Sequence, residues 1–483
     1  MAKYDYDIGV IGGGAAGLTV ASGASQLGLK TLLIEKAPLL GGDCLHYGCV
    51  PSKTLIKTAS VYHQMRHADE YGLPPVDLPA VNFKQIARRI QSVIESVQVH
   101  DSEERFCSLG VEVSFGEASF IDEHQVDLGE RRVSAKFWVL ATGSEPSVPP
   151  IPGLADVDYL TNKDIFSLDA LPSSLIVVGG GPIGCEMSQA FARLGTDVRI
   201  LQRNCQVLPV EDEDMAAVVQ DSLRAEGVGL DLCANTKVVR KIPGGIEVEY
   251  ESDGVSHVIK AEKILVAAGR APNVGSLKLE NAGVEYDRRG VKTDTRLRTS
   301  QKHIFAAGDV LGKYLFTHAA GYEGGVIISN AVFRLPRKVD YKWLPWCTYT
   351  EPELASVGMN EKAAGKAGLE CSVWKEDFAD NDRARAEGAS VGKIKLLLDK
   401  REKPLGVQIV GVHAGEIAAE WVAALNAKMG LASMASAIHP YPTVSEINKR
   451  VAGKVLSSKL FSEKVRKTLG FIFDYKGRAC SLD

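Results

Sequence analysis

A chain of 483 residues, at roughly 100–200 residues per domain, is expected to form about three domains, each able to bury its own core. Hydrophobic residues at 45 %, charged residues at 24 % and a net charge of −4 describe an ordinary globular protein, and there is no basic excess of the kind that binds nucleic acid or acidic lipid. The first residues run straight into a strand pattern and no apolar run reaches about 18 residues, so no membrane span is expected and the chain is read as cytoplasmic.

The first informative segment is YDIGVIGGGAAGLTVASGASQLGLKTLLIEK. Its apolar run Ile8 to Ile11 reads as a buried parallel strand, an Ala-rich helix follows, and a second strand, Thr31 to Ile34, ends at Glu35. Gly12, Gly14 and Gly17 give G-x-G-x-x-G between strand and helix: a tight turn, a close approach of backbone to pyrophosphate, and close helix packing. Glu35 is expected to accept hydrogen bonds from ribose hydroxyls. A bare glycine pattern is often only a turn, but here both strands, the helix and the acid are present.

The next segment, GGDCLHYGCVPSK at 41–53, places Cys44 and Cys49 with four residues between them. A metal site, a structural bridge, a redox pair and two unrelated thiols are all readings of it. The spacing lacks the second Cys/His cluster that zinc requires. A bridge needs Cα atoms within about 7 Å, whereas five helical residues rise about 7.5 Å, so the backbone must be distorted, and Gly48 and Pro51 are expected to distort it. A strained bridge beside a bound dinucleotide is readily reduced by it. Nine cysteines in all are too sparse for a disulfide scaffold, and a cytosolic disulfide is expected to be catalytic.

The βαβ unit recurs at LIVVGGGPIGCEMSQAFARLGTDVRILQRN, with Gly179, Gly181 and Gly184 in the same spacing. Here Gln202 stands in place of the acid and Arg203 follows. Loss of the carboxylate and gain of a cation predict NADPH over NADH. Each fold is followed by a strand ending in small residues, FWVLATGSEP at 137–146 and ILVAAGRAPN at 264–273, which makes an internal duplication. HIFAAGDV then ends in Gly308-Asp309, where a strand-terminal acid suits a cofactor polyol, although Gly-Asp alone is more often a turn. From about residue 346 the texture changes to alternating strands and amphipathic helices without Gly-rich loops, an α+β domain with no nucleotide of its own. A basic, then aromatic, tail carries Cys480.

In order and spacing, GGGAAG, GGDCLHYGCVPSK, ATG, GGGPIGCE, AAGRAPN, AAGDV and IHPYPTVSE resemble the motifs of the flavin-dependent pyridine nucleotide-disulfide oxidoreductases, over roughly residues 5–460. The resemblance implies an α/β protein with two Rossmann-like domains and a C-terminal α+β dimerisation domain. FAD is implied at residues 12–17, 35 and 309, and NAD(P)H at 179–184. Cofactor contacts then fall on Gly12, Gly14, Ala16, Gly17, Glu35, Lys36, Gly42, Asp43, Thr142, Gly143, Gly179, Gly181, Ile183, Gly184, Gln202, Arg203, Gly269, Arg270, Gly308 and Asp309. The implied domains are an FAD domain at 1–150 and 274–345, an NAD(P) domain at 151–273, an interface domain at 346–465 and a tail at 466–483. A homodimer with a shared active site follows.

The resemblance further implies that electrons pass from nicotinamide through flavin to a Cys44–Cys49 disulfide. Cys49 would be the thiolate beside the flavin and Cys44 the thiol that meets the substrate. Lys53 and Glu186 resemble the family's lysine–glutamate pair near the flavin and nicotinamide. No resident metal is implied. The C-terminal motif departs from the family pattern: Tyr441 stands where thiol-exchanging members carry a proton-shuttling histidine, with His439 and Glu446 nearby. A phenol is a poor base at neutral pH. The expectation is therefore a dihydrolipoamide dehydrogenase-like enzyme acting on a dithiol or disulfide, with a mercuric reductase-like metal-ion reductase and a redox-sensing flavoprotein as alternatives. Pro182 replaces a gating tyrosine of many relatives, and Cys480 stands alone where metal-reducing relatives have adjacent cysteines.

Overall fold

The computed structural model describes residues 4–477 and 479–480; the remainder of the expected 466–483 tail, residue 478 and residues 481–483, lies outside the described residues. By internal contacts the chain divides into two units, residues 1–207 with 226–341, and residues 208–225 with 342–483. No helix among the described residues is long and apolar enough to cross a membrane.

The first unit holds both dinucleotide folds. In the N-terminal one, strands Val111–Phe115, Thr31–Glu35, Tyr6–Ile11, Arg132–Leu140 and Ile304–Ala306 pair side by side and in parallel. Ile8, Val10, Leu32, Leu33, Val139 and Leu140 are essentially inaccessible, as a sheet covered on both faces requires. The strand Ile304–Ala306 comes from far along the chain and delivers Gly308 and Asp309 to the same sheet end as Gly12. In the second fold, Gly229–Asp231, Asp197–Leu201, Ser174–Val178 and Lys263–Val266 form a four-stranded parallel sheet. An antiparallel meander, Asn235–Ile242, Gly245–Ser252 and Val255–Ala261, is inserted before its last strand in the chain and packs into its core through Val239, Val248 and Tyr250.

The second unit is the expected α+β domain: five antiparallel strands, Pro345–Thr348, Glu353–Gly358, Pro404–Gly411, Lys393–Asp399 and Cys371–Asp377, with helices Ala414–Asn426 and Glu446–Leu460 packed on them around Trp421. The helix Glu213–Ala225, which in sequence lies between strands Asp197–Leu201 and Gly229–Asp231 of the second dinucleotide fold, belongs to this unit by its packing. The cause is polar. Buried Glu211 accepts hydrogen bonds from Trp346 Nε1 (2.5 Å), Ser356 Oγ (2.7 Å) and Gln408 Nε2 (2.6 Å). Lys395, fully enclosed in its strand, sits among Asp212 (3.1 Å), Asp214 and Glu361 (2.5 Å), where its ammonium occupies the centre of the carboxylate group. A buried charge is tolerated only when paired in this way.

Candidate active site

The two glycine turns are built alike. Gly12 and Gly179 have φ of +111° and +114°, and a Cβ on either would lie 2.2 Å or 2.4 Å from a carbonyl oxygen of the neighbouring strand's end. A Cβ on Gly17 would lie 1.8 Å from the Gly12 oxygen, and one on Gly184 1.9 Å from the Gly179 oxygen, so helix and turn touch only because both residues are glycine. The middle glycines differ. A Cβ on Gly14 would meet only the Gly42 Cα, at 3.9 Å, and nothing lies within 4 Å of one on Gly181. Each turn thus leaves open backbone in front of a helix N-terminus, Ala15–Gln26 in one fold and Pro182–Leu194 in the other, which is the cradle a pyrophosphate needs.

Glu35 Oε2 accepts from the Gly13 amide at 2.6 Å and Oε1 from Ala37 at 2.8 Å, each oxygen keeping a second lone pair. Gln202 takes the matching position, its Oε1 accepting from the Gly180 amide at 3.0 Å. Arg203 beside it is exposed and makes no ion pair among the described residues. Ala16 is buried, Lys36 and Ile183 are exposed, and Gly42, Gly143, Gly269 and Gly308 all hold positive φ.

Four residues from distant segments meet at the mouth of the first fold. Arg270 reaches Asp43 at 3.1 Å, the Ser144 hydroxyl at 2.7 Å and Asp309 at 3.7 Å, while Ser144 donates to Asp309 at 2.6 Å. The Arg270 guanidinium therefore positions two acids. Burial pushes the Asp309 carboxyl up, with Ser144 and Arg270 opposing it. Thr142 donates to the Asn273 carbonyl at 2.7 Å and ties the same strand end to the loop carrying Arg270. Ser144 was missed by sequence reasoning; its only local signal is its place after Ala-Thr-Gly at the end of a buried strand. The open cradle at Gly14, with Glu35 and Asp309 beside it, fits FAD, and the one at Gly181, with Gln202 and Arg203, fits NAD(P)H.

Cys44 lies in the short helix Gly42–His46 and Cys49 begins the helix Cys49–Arg66. The chain doubles back at Gly48, where a Cβ would lie 3.1 Å from the Cys44 Cα and 3.0 Å from the Asp43 oxygen. The expectation that Pro51 helps distort the backbone is corrected: Pro51 sits in the first helical turn, where its missing N–H costs nothing. Both sulfurs are thiols here. Hydrogen bonding from Cys44, then from Thr317, whose hydroxyl lies 3.5 Å from Cys49 Sγ, and the charge of Lys53 pull the Cys49 thiol down to about 6. Cys49 opens an 18-residue helix and Thr317 a 15-residue one, so two helix N-termini add to the positive field. Cys44 is pushed up, because it donates to Cys49 and is partly buried. Thr317 is the second residue sequence reasoning missed, for it carries no motif.

Lys53, one turn beyond Cys49, places its ammonium 2.7 Å from Glu186 Oε2 on the helix Pro182–Leu194. The pair is thus made as expected, across 133 residues. Tyr441, His439 and Glu446 belong to the second unit. Tyr441 is exposed and donates to Asp382 Oδ2 at 2.9 Å, a carboxylate contact that raises its pKa further. His439 is largely enclosed. Its Nε2 meets Glu420 Oε1 at 3.0 Å and its Nδ1 meets the Ala437 oxygen at 3.3 Å. Glu446 opens the helix Glu446–Leu460, and the histidine's carboxylate partner is Glu420.

Two glycine cradles of opposite cofactor chemistry, a thiol pair and the Lys53–Glu186 bridge on one unit agree with family matching: the model for pyridine nucleotide-disulphide oxidoreductases covers residues 6–324, and the dimerisation-domain model of that family covers 344–452. The chain belongs to this family. It is an NAD(P)H-dependent flavin oxidoreductase that uses FAD, and its dimerisation domain supports a homodimer. A mercuric reductase from Staphylococcus aureus is 31 % identical over 465 residues, 96 % of this chain and 84 % of the relative. A dihydrolipoyl dehydrogenase from Bacillus subtilis is 33 % identical over 445 residues, 91 % and 96 %. Among solved structures, the Cu(II) complex of the HOCl-induced flavoprotein disulfide reductase RclA from Escherichia coli superposes with a TM-score of 0.83 at 27 % identity, covering 93 % of this chain and all of that one.

One disulfide is present among the described residues, and it is not at 44 and 49. Cys205 and Cys233 are bonded, with Cα atoms 4.4 Å apart. The expectation that a disulfide in this chain would be the catalytic one is corrected accordingly. Its two cysteines are 28 residues apart and are brought together by pairing of the strands that precede them.

Proposed function

We propose that this flavoenzyme uses NADPH to reduce a soft metal ion held by Cys44 and Cys49, in a cytoplasmic homodimer whose active site is completed by the second subunit. The observation that carries this reading is the engagement of His439 at both ring nitrogens. Each ring nitrogen already faces an oxygen, Glu420 Oε1 or the Ala437 carbonyl, so receiving a thiol proton requires one of these contacts to break, and Tyr441, its pKa raised by Asp382, stays a phenol at neutral pH. Exchange with a dithiol needs such a base; capture of a soft ion needs two thiolates. Two of the similar proteins point the same way, the mercuric reductase and the Cu(II) complex of the flavoprotein disulfide reductase, while the dihydrolipoyl dehydrogenase points to a dithiol.

In this reading the FAD domain spans 1–150 and 274–345, the NADPH domain 151–273 and the interface domain 346–465. Bound FAD would relay the two electrons of the nicotinamide hydride to the ion held by the reduced cysteine pair. Gln202 and Arg203 select NADPH by admitting and pairing its 2′-phosphate. Lys53 and Glu186 hold the charge between the two cofactor sites. Cys49 is the thiolate nearer the flavin, and Cys44, which keeps its proton until the metal displaces it, meets the substrate. With Hg²⁺ the ion takes both electrons, NADPH leaves as NADP⁺ and the hydride's proton is released to solvent.

A second reading, lipoyl or other disulfide exchange, draws on the retained Cys44 proton, which supplies one of the protons a disulfide takes up. Steady-state NADPH oxidation with Hg²⁺, Cu²⁺, lipoamide and glutathione disulfide separates the two. The metal reading expects turnover with a metal ion that survives His439→Ala. Faster turnover with lipoamide that collapses in His439→Ala would sink it in favour of disulfide exchange.

A further inference from the structure

The Cys205–Cys233 bond lies at the edge of the second dinucleotide fold, and its position gives it a task separate from the Cys44/Cys49 pair. Strand Asp197–Leu201 ends in the loop that carries Gln202 and Arg203, and two sets of contacts fasten that loop to the chain beyond strand Gly229–Asp231. On one side of Arg203, the Gln202 amide donates to the Asp231 oxygen at 2.9 Å and the Ala234 amide to the Gln202 oxygen at 2.9 Å. On the other side, the Cys233 amide donates to the Asn204 oxygen at 3.1 Å and the disulfide closes from Cys205. Arg203 is held between the two. Cys233 has φ of +53°, a left-handed conformation that a side chain other than glycine rarely takes. Cys205 is exposed and Cys233 half-buried, so a dissolved thiol can reach the Cys205 sulfur.

We propose that Cys205–Cys233 is a reversible thiol–disulfide site that sets the affinity of the second dinucleotide site for a 2′-phosphate. The inference rests on the reading above in which Arg203 pairs with that phosphate. The thiolate of a low-molecular-weight thiol attacks Cys205, forming a mixed disulfide and releasing Cys233 as a thiolate. A second molecule of the thiol then displaces Cys205, so that the protein gains two electrons and two protons and the small thiol leaves as its disulfide. The reverse reaction uses that same small disulfide as oxidant. When the bond is open, the loop keeps only its hydrogen bonds, Cys233 is free to leave the left-handed region, and Arg203 must be ordered at each binding event. The oxidised form therefore binds NADPH more tightly, and the enzyme draws more strongly on its reductant when the surrounding thiol pool is oxidised.

The test begins with alkylation and peptide mass mapping of holoenzyme equilibrated in mixtures of glutathione and its disulfide, which should show a reversible two-electron transition of the 205–233 pair. Dissociation constants for NADP⁺ and NAD⁺ are then measured by calorimetry. The proteins are Cys205→Ser/Cys233→Ser, Arg203→Ala, and oxidised and thiol-reduced forms of a chain whose Cys44 and Cys49 are serine. Opening or removing the bond is expected to weaken NADP⁺ by about 3- to 10-fold, with a smaller effect on NAD⁺. Comparing the oxidised and reduced forms of one protein keeps the test decisive should the double variant fold poorly. If Arg203→Ala weakens NADP⁺ but neither bond opening nor the double variant does, the latch is wrong and the NADPH reading stands. If Arg203→Ala has no effect, the NADPH reading fails and the latch falls with it. A pair that stays oxidised, or stays reduced, across all glutathione mixtures overturns the proposal by itself.

Discussion

The ammonium of Lys53 rests 2.7 Å from the carboxylate of Glu186, joining the helix that begins at the thiol Cys49 to the helix that begins at the second glycine turn. Lys53 is partly exposed and Glu186 is nearly enclosed, so the lysine sets a cationic partner against a carboxylate that water barely reaches. Lys53→Met is expected to slow flavin reduction by NADPH about 100-fold in stopped-flow, and Lys53→Arg should recover part of that loss. An unchanged rate in Lys53→Met would show that the pair is only structural.

The second prediction concerns pH. Cys49 is drawn down to about 6, so its thiolate exists above that pH and is lost as pH falls through it, whereas an ordinary thiol would still be protonated at neutrality. In the reduced protein, the ultraviolet absorbance of the thiolate should therefore fall with a midpoint near pH 6. Thr317→Val removes one hydrogen bond to the sulfur and Lys53→Met one charge, and each should move the midpoint upward. A midpoint near 8 or above in the unaltered protein would contradict the arrangement around Cys49.

The glycine turns offer a paired test of the cofactor cradle. Gly17→Ala drives a methyl into the Gly12 carbonyl at 1.8 Å and should prevent the fold from forming. Gly14→Ala meets no protein atom closer than 3.9 Å, so the chain should fold while the methyl fills the space a pyrophosphate needs. Folded Gly14→Ala protein is expected to lose its flavin on gel filtration, as read from the visible absorbance. Full retention of FAD would mean that the phosphates lie elsewhere.

A fourth prediction addresses the second unit. Lys395→Met leaves Asp212, itself buried, without its counter-charge, and should cost about 3–5 kcal/mol in urea unfolding. Because Lys395 and Glu211 together fasten the 208–225 segment, the loss should fall on that segment first, seen as faster amide exchange along the helix Glu213–Ala225. A change under about 1 kcal/mol would mark the ion cluster as incidental.

What could be read directly from the chain was whatever a few neighbouring residues settle by local sterics. Gly12, Gly14 and Gly17 follow a strand and open a helix because each has a steric reason within that short stretch, and the repeat at Gly179, Gly181 and Gly184 announces a second fold for the same reason. The α+β texture after residue 346 was likewise legible from periodicity, as was the Cys44/Cys49 pair from its short spacing. Packing decided the rest. Thr317 approaches Cys49 across 268 residues and Ser144 approaches Asp309 across 165, and neither side chain carries a local pattern that names its partner. The motif left open whether His439 could replace the missing shuttle, and only packing shows Glu420 and the Ala437 carbonyl at its two ring nitrogens. The disulfide formed at Cys205 and Cys233, where parallel strands end side by side, because strand register brings those two sulfurs together and no spacing along the chain encodes that register.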